Sequence, residues 1–356
     1  MTVVPKFLAT GIGSMPFDDA DQAVEVSLSR LTQAPLWPQL PKRGLNEQME
    51  VQYAQGMPCV VVDRDEGRAY FDTSGDYSEL FGEFYETYVE AMDPDEGSGD
   101  CSSMAIPEDY AAGLYALERR LKNQDGKLPF VKVQTTGPCT VALSITDENK
   151  RAIYYNEEFR DVVVKSLAMQ SRWQIQKFRP YAEQVICFID EPILAGFGSS
   201  TYVSVHREDV VAHINELVEA IHADNALAGI HCCGNTEWAV PIDSGADIVN
   251  FDAFEFGETI AMYPDSVKSL FARGGYLAWG VVPTSVAIRE QTVEDLEKTL
   301  EEGMDRLAST GMEKGEIVDR AILTPSCGTG SMQPDDARRV FQLTQALSRR
   351  MREKYA

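Results

Sequence analysis

Positive charge is scarce in this 356-residue chain: 32 Lys and Arg stand against 56 Asp and Glu, a formal net charge of −24 at pH 7. Nucleic-acid backbones and anionic membranes are met by Lys- and Arg-rich surfaces, so neither is an expected partner. Long apolar runs are missing as well. No stretch approaches the roughly 20 residues needed to cross a bilayer. The opening MTVVPKFLATGIGSMP has no cationic segment leading into an apolar core and a small-residue cleavage site. The expected location is therefore the cytoplasm. Histidine is rare, at four residues, and the seven cysteines are an odd number dispersed along the chain, which is not a disulfide framework. In a reducing compartment scattered thiols are core residues by default, and only clustered ones point to metal or catalytic work.

What is present is material for a large core, 44% hydrophobic residues, arranged in short β-rich runs mostly followed by helical patterns. Eight such runs are predicted as strands: 7–13, 59–63, 130–135, 185–190, 227–231, 248–252, 276–281 and 321–324. Strand and helix alternation of this kind reads as a parallel sheet. Eight repeats suggest one α/β unit, a (β/α)8 TIM barrel over residues 1–356, although an open doubly wound sheet shares the pattern. Residues 17–57 and 64–128 are longer than a βα unit needs and are predicted as insertions after strands one and two; the second carries the acidic run DPDEGSGD. Both are expected to help wall the pocket, with surface decoration or an oligomer contact as the alternative.

In such a barrel the loops after the strands converge on one face and build the site. Those loops hold GIGSMP, Asp63, TTGP, DEP (Asp190, Glu191, Pro192), HCCGN, Asp252 with Glu255 beyond it, and PSCG with Cys327. His231 and Cys233 are separated by one residue, so in extended backbone their side chains point the same way. Imidazole and thiolate are the donors zinc prefers, and Cys327 as a third protein ligand leaves a position for substrate, as catalytic zinc sites do. Asp252 or Glu255 is the candidate for a fourth ligand. The bland alternative is that these are packed thiols, since Cys is among the most buried residue types. Cys59, Cys187 and Cys232 are expected in the core, Cys101 in a loop, Cys139 near the active face, and His206, His213 and His222 on one helix as surface or packing residues. GIGSMP lacks the glycine spacing of a dinucleotide fingerprint.

Taken in order, GIGSMP, KVQTTGPCT, FIDEP, HCCGN, ADIVNFD and LTPSCGTG span nearly the whole chain. This series resembles the superfamily of cobalamin-independent methionine synthase and uroporphyrinogen decarboxylase, and is closer to the catalytic barrel of the synthase, in a short single-barrel form. The resemblance implies a Zn2+ site from His231, Cys233, Cys327 and Asp252, where the synthase carries Glu. It also implies that Ser14, with the backbone near Gly13, takes the carboxylate of an amino-acid substrate and that Asp190 takes its ammonium. Glu191, beside Asp190, joins the substrate-binding candidates. Full-length synthases carry a second, N-terminal barrel, and the aromatic Trp that stacks the folate pterin falls at Ser144. Both departures favour a methyl donor other than polyglutamyl folate.

The expected reaction is methyl transfer to a zinc-activated thiol, homocysteine giving methionine, with Asp190, His231, Cys233 and Cys327 as the catalytic set. A methylated corrinoid protein or methylcobalamin is the expected donor. Two alternatives stand beside it. One is a uroporphyrinogen decarboxylase-like or coenzyme M-type enzyme; the decarboxylases work without metal and grip propionates with arginines, for which this chain has no matching motif. The other is a non-catalytic zinc- or thiol-binding partner of a corrinoid protein.

Overall fold

The computed structural model describes residues 4–92, 99–198, 202 and 204–356; residues 93–98 of the acidic run lie outside the described residues. The strands are β1 (Leu8–Ala9), β2 (Val60–Asp63), β3 (Arg68–Phe71), β4 (Leu128–Thr136), β5 (Thr146–Asp147), β6 (Ala182–Asp190), β7 (Leu227–Cys232), β8 (Ile248–Phe251), β9 (Tyr276–Val282) and β10 (Ala321–Pro325). Seven of them form one sheet in the order β1-β10-β9-β8-β7-β6-β4, and every pairing in it is parallel. A helix follows nearly every strand, as parallel crossovers require. The sheet curls into a TIM-like barrel.

The stave between β1 and β4 is the segment 33–39, QAPLWPQ, which the sequence pattern places inside an insertion. Its carbonyls at Gln33 and Pro35 accept from Phe130 and Lys132 of β4, at 3.0 and 2.8 Å. On the other side Gln39 N–H donates to Gly13, and Met15 N–H donates to Gln39. Two prolines strip donors from this stretch, so it makes isolated bridges rather than a continuous ladder. Ser27 supplies what the ladder lacks: its Oγ accepts from Leu36 N–H at 3.0 Å and donates to Leu36 O at 2.8 Å.

The run predicted as strand two, 59–63, is a correction. Val60–Asp63 pairs antiparallel with β3 in a separate three-stranded sheet, β2-β3-β5, and makes no pairing with the barrel sheet. Asp63 does not reach the active face; its Oδ1 accepts from the N–H groups of Asp65 and Glu66 in the hairpin turn. A short β-branched run between turn residues has the same signature in a hairpin as in a barrel stave.

Alternation along the strands separates two cores. Leu8, Ala34, Phe130, Ile186, Phe188, Leu227, Ile248, Tyr276, Ala278 and Ile322 cluster together, so all eight staves contribute to one apolar core. Val185, Cys187 and Ile189, the intervening residues of β6, pack in the other core with the helices. Those helices read as amphipathic in sequence. The helix Val293–Ala308 opens on a capping box between Thr292 and Asp295 and buries Leu296, Leu300, Met304 and Leu307 along one stripe. Among the described residues no helix is long and apolar enough to cross a membrane.

Candidate metal centre

His231 is the penultimate residue of β7, and Cys233 follows its last residue. Alternation turns these two side chains to one side and sends Cys232 to the other, where it is fully buried in the helix-facing core. Cys327 lies two residues past β10. One donor atom from each of His231, Cys233 and Cys327 lies within 4.8 Å of the others. His231 Nδ1 is hydrogen-bonded to Asn250 Oδ1. Its buried Nε2 has no hydrogen-bond partner.

The two thiols are inequivalent. The Cys327 thiol beside it, and then the His231 imidazole, hold the Cys233 thiol well below the ordinary range. The same contact with Cys233, aided by burial, pushes Cys327 far up. Of the two sulfurs, Cys233 is the one that loses its proton more readily. One imidazole nitrogen without a partner and two sulfurs are a donor set suited to zinc, and three donors leave a position for a further ligand.

Asp252 stands outside this cluster. Its Oδ1 accepts from Phe254 and Glu255 N–H, each at 2.9 Å, capping the short helix Ala253–Phe256. Burial raises its pKa to about 6. Glu255 lines a separate surface depression with Glu302 and Arg306.

A cavity of about 110 Å³ opens beside the donors. Cys233, Cys327, His231, Asp190 and Ser14 line it, together with Gln39, Met49, Tyr53, Gln134 and Thr136. Asp190 ends β6 in register with His231, and its Oδ1 is enclosed without a hydrogen-bond partner. Burial lifts its pKa to about 6, opposed by the charges of His231 and Lys132. Ser14 Oγ accepts from Gly330 N–H at 3.3 Å. A Cβ on Gly328 would come 2.1 Å from that oxygen, so glycine there keeps the hydroxyl clear. Gly13 contributes backbone: its carbonyl holds Gln39, and a Cβ on it would meet the Gln134 side chain at 3.2 Å.

Glu191 faces the other way. It accepts from Cys139 N–H at 2.8 Å, Thr140 N–H at 2.9 Å and Thr140 Oγ–H at 2.6 Å, at the start of the helix Pro138–Ser144. Burial raises its pKa to about 7. It does not line the cavity, and neither does Cys139, which is buried beneath the same helix start. A substrate-binding role for Glu191 is not what this geometry provides: adjacent strand-end residues point to opposite sides, and Asp190 takes the inner one. His213 packs on Tyr154, and His222 pairs with Asp247 at 2.8 Å.

Of the residues not singled out in the sequence, Lys132, Gln134 and Thr136 alternate along β4, a polar row in a buried strand that period-two reading exposes. Gln39, Met49 and Tyr53 come from residues 17–57, whereas the described residues of 64–128 contribute nothing to the cavity.

No protein-family model matches the chain, and no curated protein matches it by sequence. Solved structures do. A methyltransferase from Methanosarcina mazei aligns with a TM-score of 0.54 at 12% identity, over 99% of this chain and 95% of that one. A B12-independent methionine synthase from Shewanella sp. W3-18-1, in complex with selenomethionine, aligns with a TM-score of 0.55 at 12% identity, over 98% and 99%. The fold is similar to the methionine synthase barrel. In this methionine synthase-like fold the donor cluster and the cavity lie at the C-terminal ends of the strands, the face that carries the chemistry of such barrels.

Proposed function

We propose that this chain is a zinc-dependent methyltransferase that methylates the sulfur of a small amino-acid thiol, homocysteine giving methionine. The observation that carries the reading is one small cavity lined at once by a His–Cys–Cys donor cluster and by Asp190, whose enclosed oxygen has no partner. Zinc held by His231, Cys233 and Cys327 would supply deprotonation of the substrate thiol at neutral pH, so that it reacts as a thiolate. Asp190 accepts the substrate ammonium, which restores a partner to its enclosed oxygen. Ser14 Oγ–H donates to the substrate carboxylate. Met49 and Tyr53 close the cavity wall and exclude water from the sulfur. Orientation of this kind is worth several kcal/mol in a group transfer.

A volume of about 110 Å³ suits an amino acid and not a tetrapyrrole or a pterin with its tail, so the methyl donor meets the sulfur at the cavity mouth. A methylated corrinoid, free or protein-bound, is the proposed donor. The fold shared with a synthase whose structure holds selenomethionine supports the amino-acid assignment. Coenzyme M fits less well, since its sulfonate would face Asp190 with no ammonium to offer. Among the described residues no arginine lines the cavity, which disfavours a decarboxylase of propionate-bearing rings.

The test is metal analysis of purified protein and of Cys233→Ala, followed by methyl transfer from methylcobalamin to homocysteine. About one zinc per chain, lost in the variant, with methionine formed only by the zinc-loaded protein, is expected. Zinc binding without methyl transfer to any small thiol would leave a thiol-binding protein instead. No zinc after anaerobic loading would end the scheme.

A further inference from the structure

Asn250 is fully buried on β8, its side chain makes three hydrogen bonds, and neither the donor cluster nor the cavity wall includes it. Its Nδ2 donates to Ala278 O at 2.9 Å and to Thr324 Oγ1 at 2.7 Å, and its Oδ1 meets His231 Nδ1. A backbone carbonyl only accepts, so the bond to Ala278 fixes which end of the amide carries the NH2 group. Oδ1 is therefore the end that faces His231. An amide oxygen only accepts, so His231 Nδ1 is the donor and bears the proton. In the neutral ring the lone pair then belongs to Nε2, the buried nitrogen without a partner.

We propose that Asn250 is a positioning residue that locks His231 in its Nδ1–H tautomer and so presents Nε2 to the metal, while bracing the His231 strand against the strand that leads to Cys327. The brace runs through Thr324, three residues before Cys327 on β10. Strand pairing sets both contacts: Asn250 is in register with His231 on one side and with Ala278 on the other. A ligating histidine whose second nitrogen is pinned loses less freedom on binding metal, and removing such partners weakens metal affinity by about 10- to 100-fold. The inference rests on the metal reading of the site, but its tautomer half is readable without any metal.

The experiment uses metal-free protein labelled with ¹⁵N-histidine, the His231 signals being assigned with His231→Gln, and zinc affinity from competition with a chromophoric chelator. Wild type is expected in the Nδ1–H form. Asn250→Leu should shift His231 toward the Nε2–H form and weaken zinc by about 10- to 100-fold. Thr324→Val disturbs the same buried cluster but leaves the Ala278 bond, and should leave the tautomer in place. An Nε2–H tautomer in wild type overturns the proposal whether or not the leucine variant folds. So does a folded Asn250→Leu with wild-type tautomer and affinity, or a Thr324→Val that shifts the tautomer as far as Asn250→Leu does. Wild type that holds the Nδ1–H form but takes up no zinc would overturn the metal assignment and leave the tautomer standing.

Discussion

Asp190 and Glu191 are neighbours of the same charge type, Glu191 buried and Asp190 half-buried with one enclosed oxygen, both raised in pKa, yet they are placed for opposite work. Glu191 is saturated by two backbone N–H groups and a hydroxyl, so it holds a helix start in place. Asp190 has an enclosed oxygen with no donor, which in a folded protein is a standing cost that a cationic ligand can relieve. Asp190→Asn keeps the shape and removes the charge. It is expected to raise KM for the amino-acid thiol by about 10- to 100-fold while zinc stoichiometry stays unchanged. Steady-state kinetics with parallel metal analysis would show this, and a variant with wild-type KM would remove Asp190 from ammonium recognition.

At the scale of elements, two joints are exposed to test. The proline-broken stave 33–39 has few ladder bonds, and Ser27 grips Leu36 by both its N–H and its carbonyl. Ser27→Ala leaves those groups buried without partners and is expected to cost about 1–3 kcal/mol, read as a lower denaturant midpoint with unchanged slope. The second joint ties the end of the helix Arg207–Ala223 to the turn before β8, through His222 and Asp247. The bond to Asp247 raises the His222 pKa above its ordinary 6.5. A raised folded-state pKa stabilises fully below the unfolded value and loses that stabilisation as pH climbs through the folded one. The stability gap between wild type and His222→Gln should therefore be widest below pH 6.5 and close as pH rises above it. His222 is one-third exposed, so solvent screening keeps the gap under about 1 kcal/mol. A gap that widened with pH would contradict the pairing.

For the whole molecule the governing quantity is the net charge of −24. Like charges spread over one compact body repel, and salt screens them over a length of about 10 Å at 0.1 M. Thermal stability should rise by several degrees between low and moderate ionic strength, in sodium chloride as well as in more strongly salting-out salts. A melting temperature insensitive to salt would mean that the many surface ion pairs, which salt weakens, offset the repulsion.

The sequence by itself determined the periodic β and α elements, because burial on both faces of a strand or one face of a helix demands particular residue types at particular spacings. It also placed His231, Cys233, Cys327, Ser14 and Asp190 at strand ends, where a parallel barrel converges. Tertiary structure alone decided the rest. Val60–Asp63 and QAPLWPQ exchange the roles that local pattern suggests, because a stave can be held by carbonyls and a serine when its prolines have no N–H to give. Direction separated Asp190 from Glu191, and Asp252 caps the helix after β8 through one of its carboxylate oxygens. The meeting of Asn250 with His231 depends on the register in which the successive strands β7 and β8 pair, which neither strand's own residue pattern specifies.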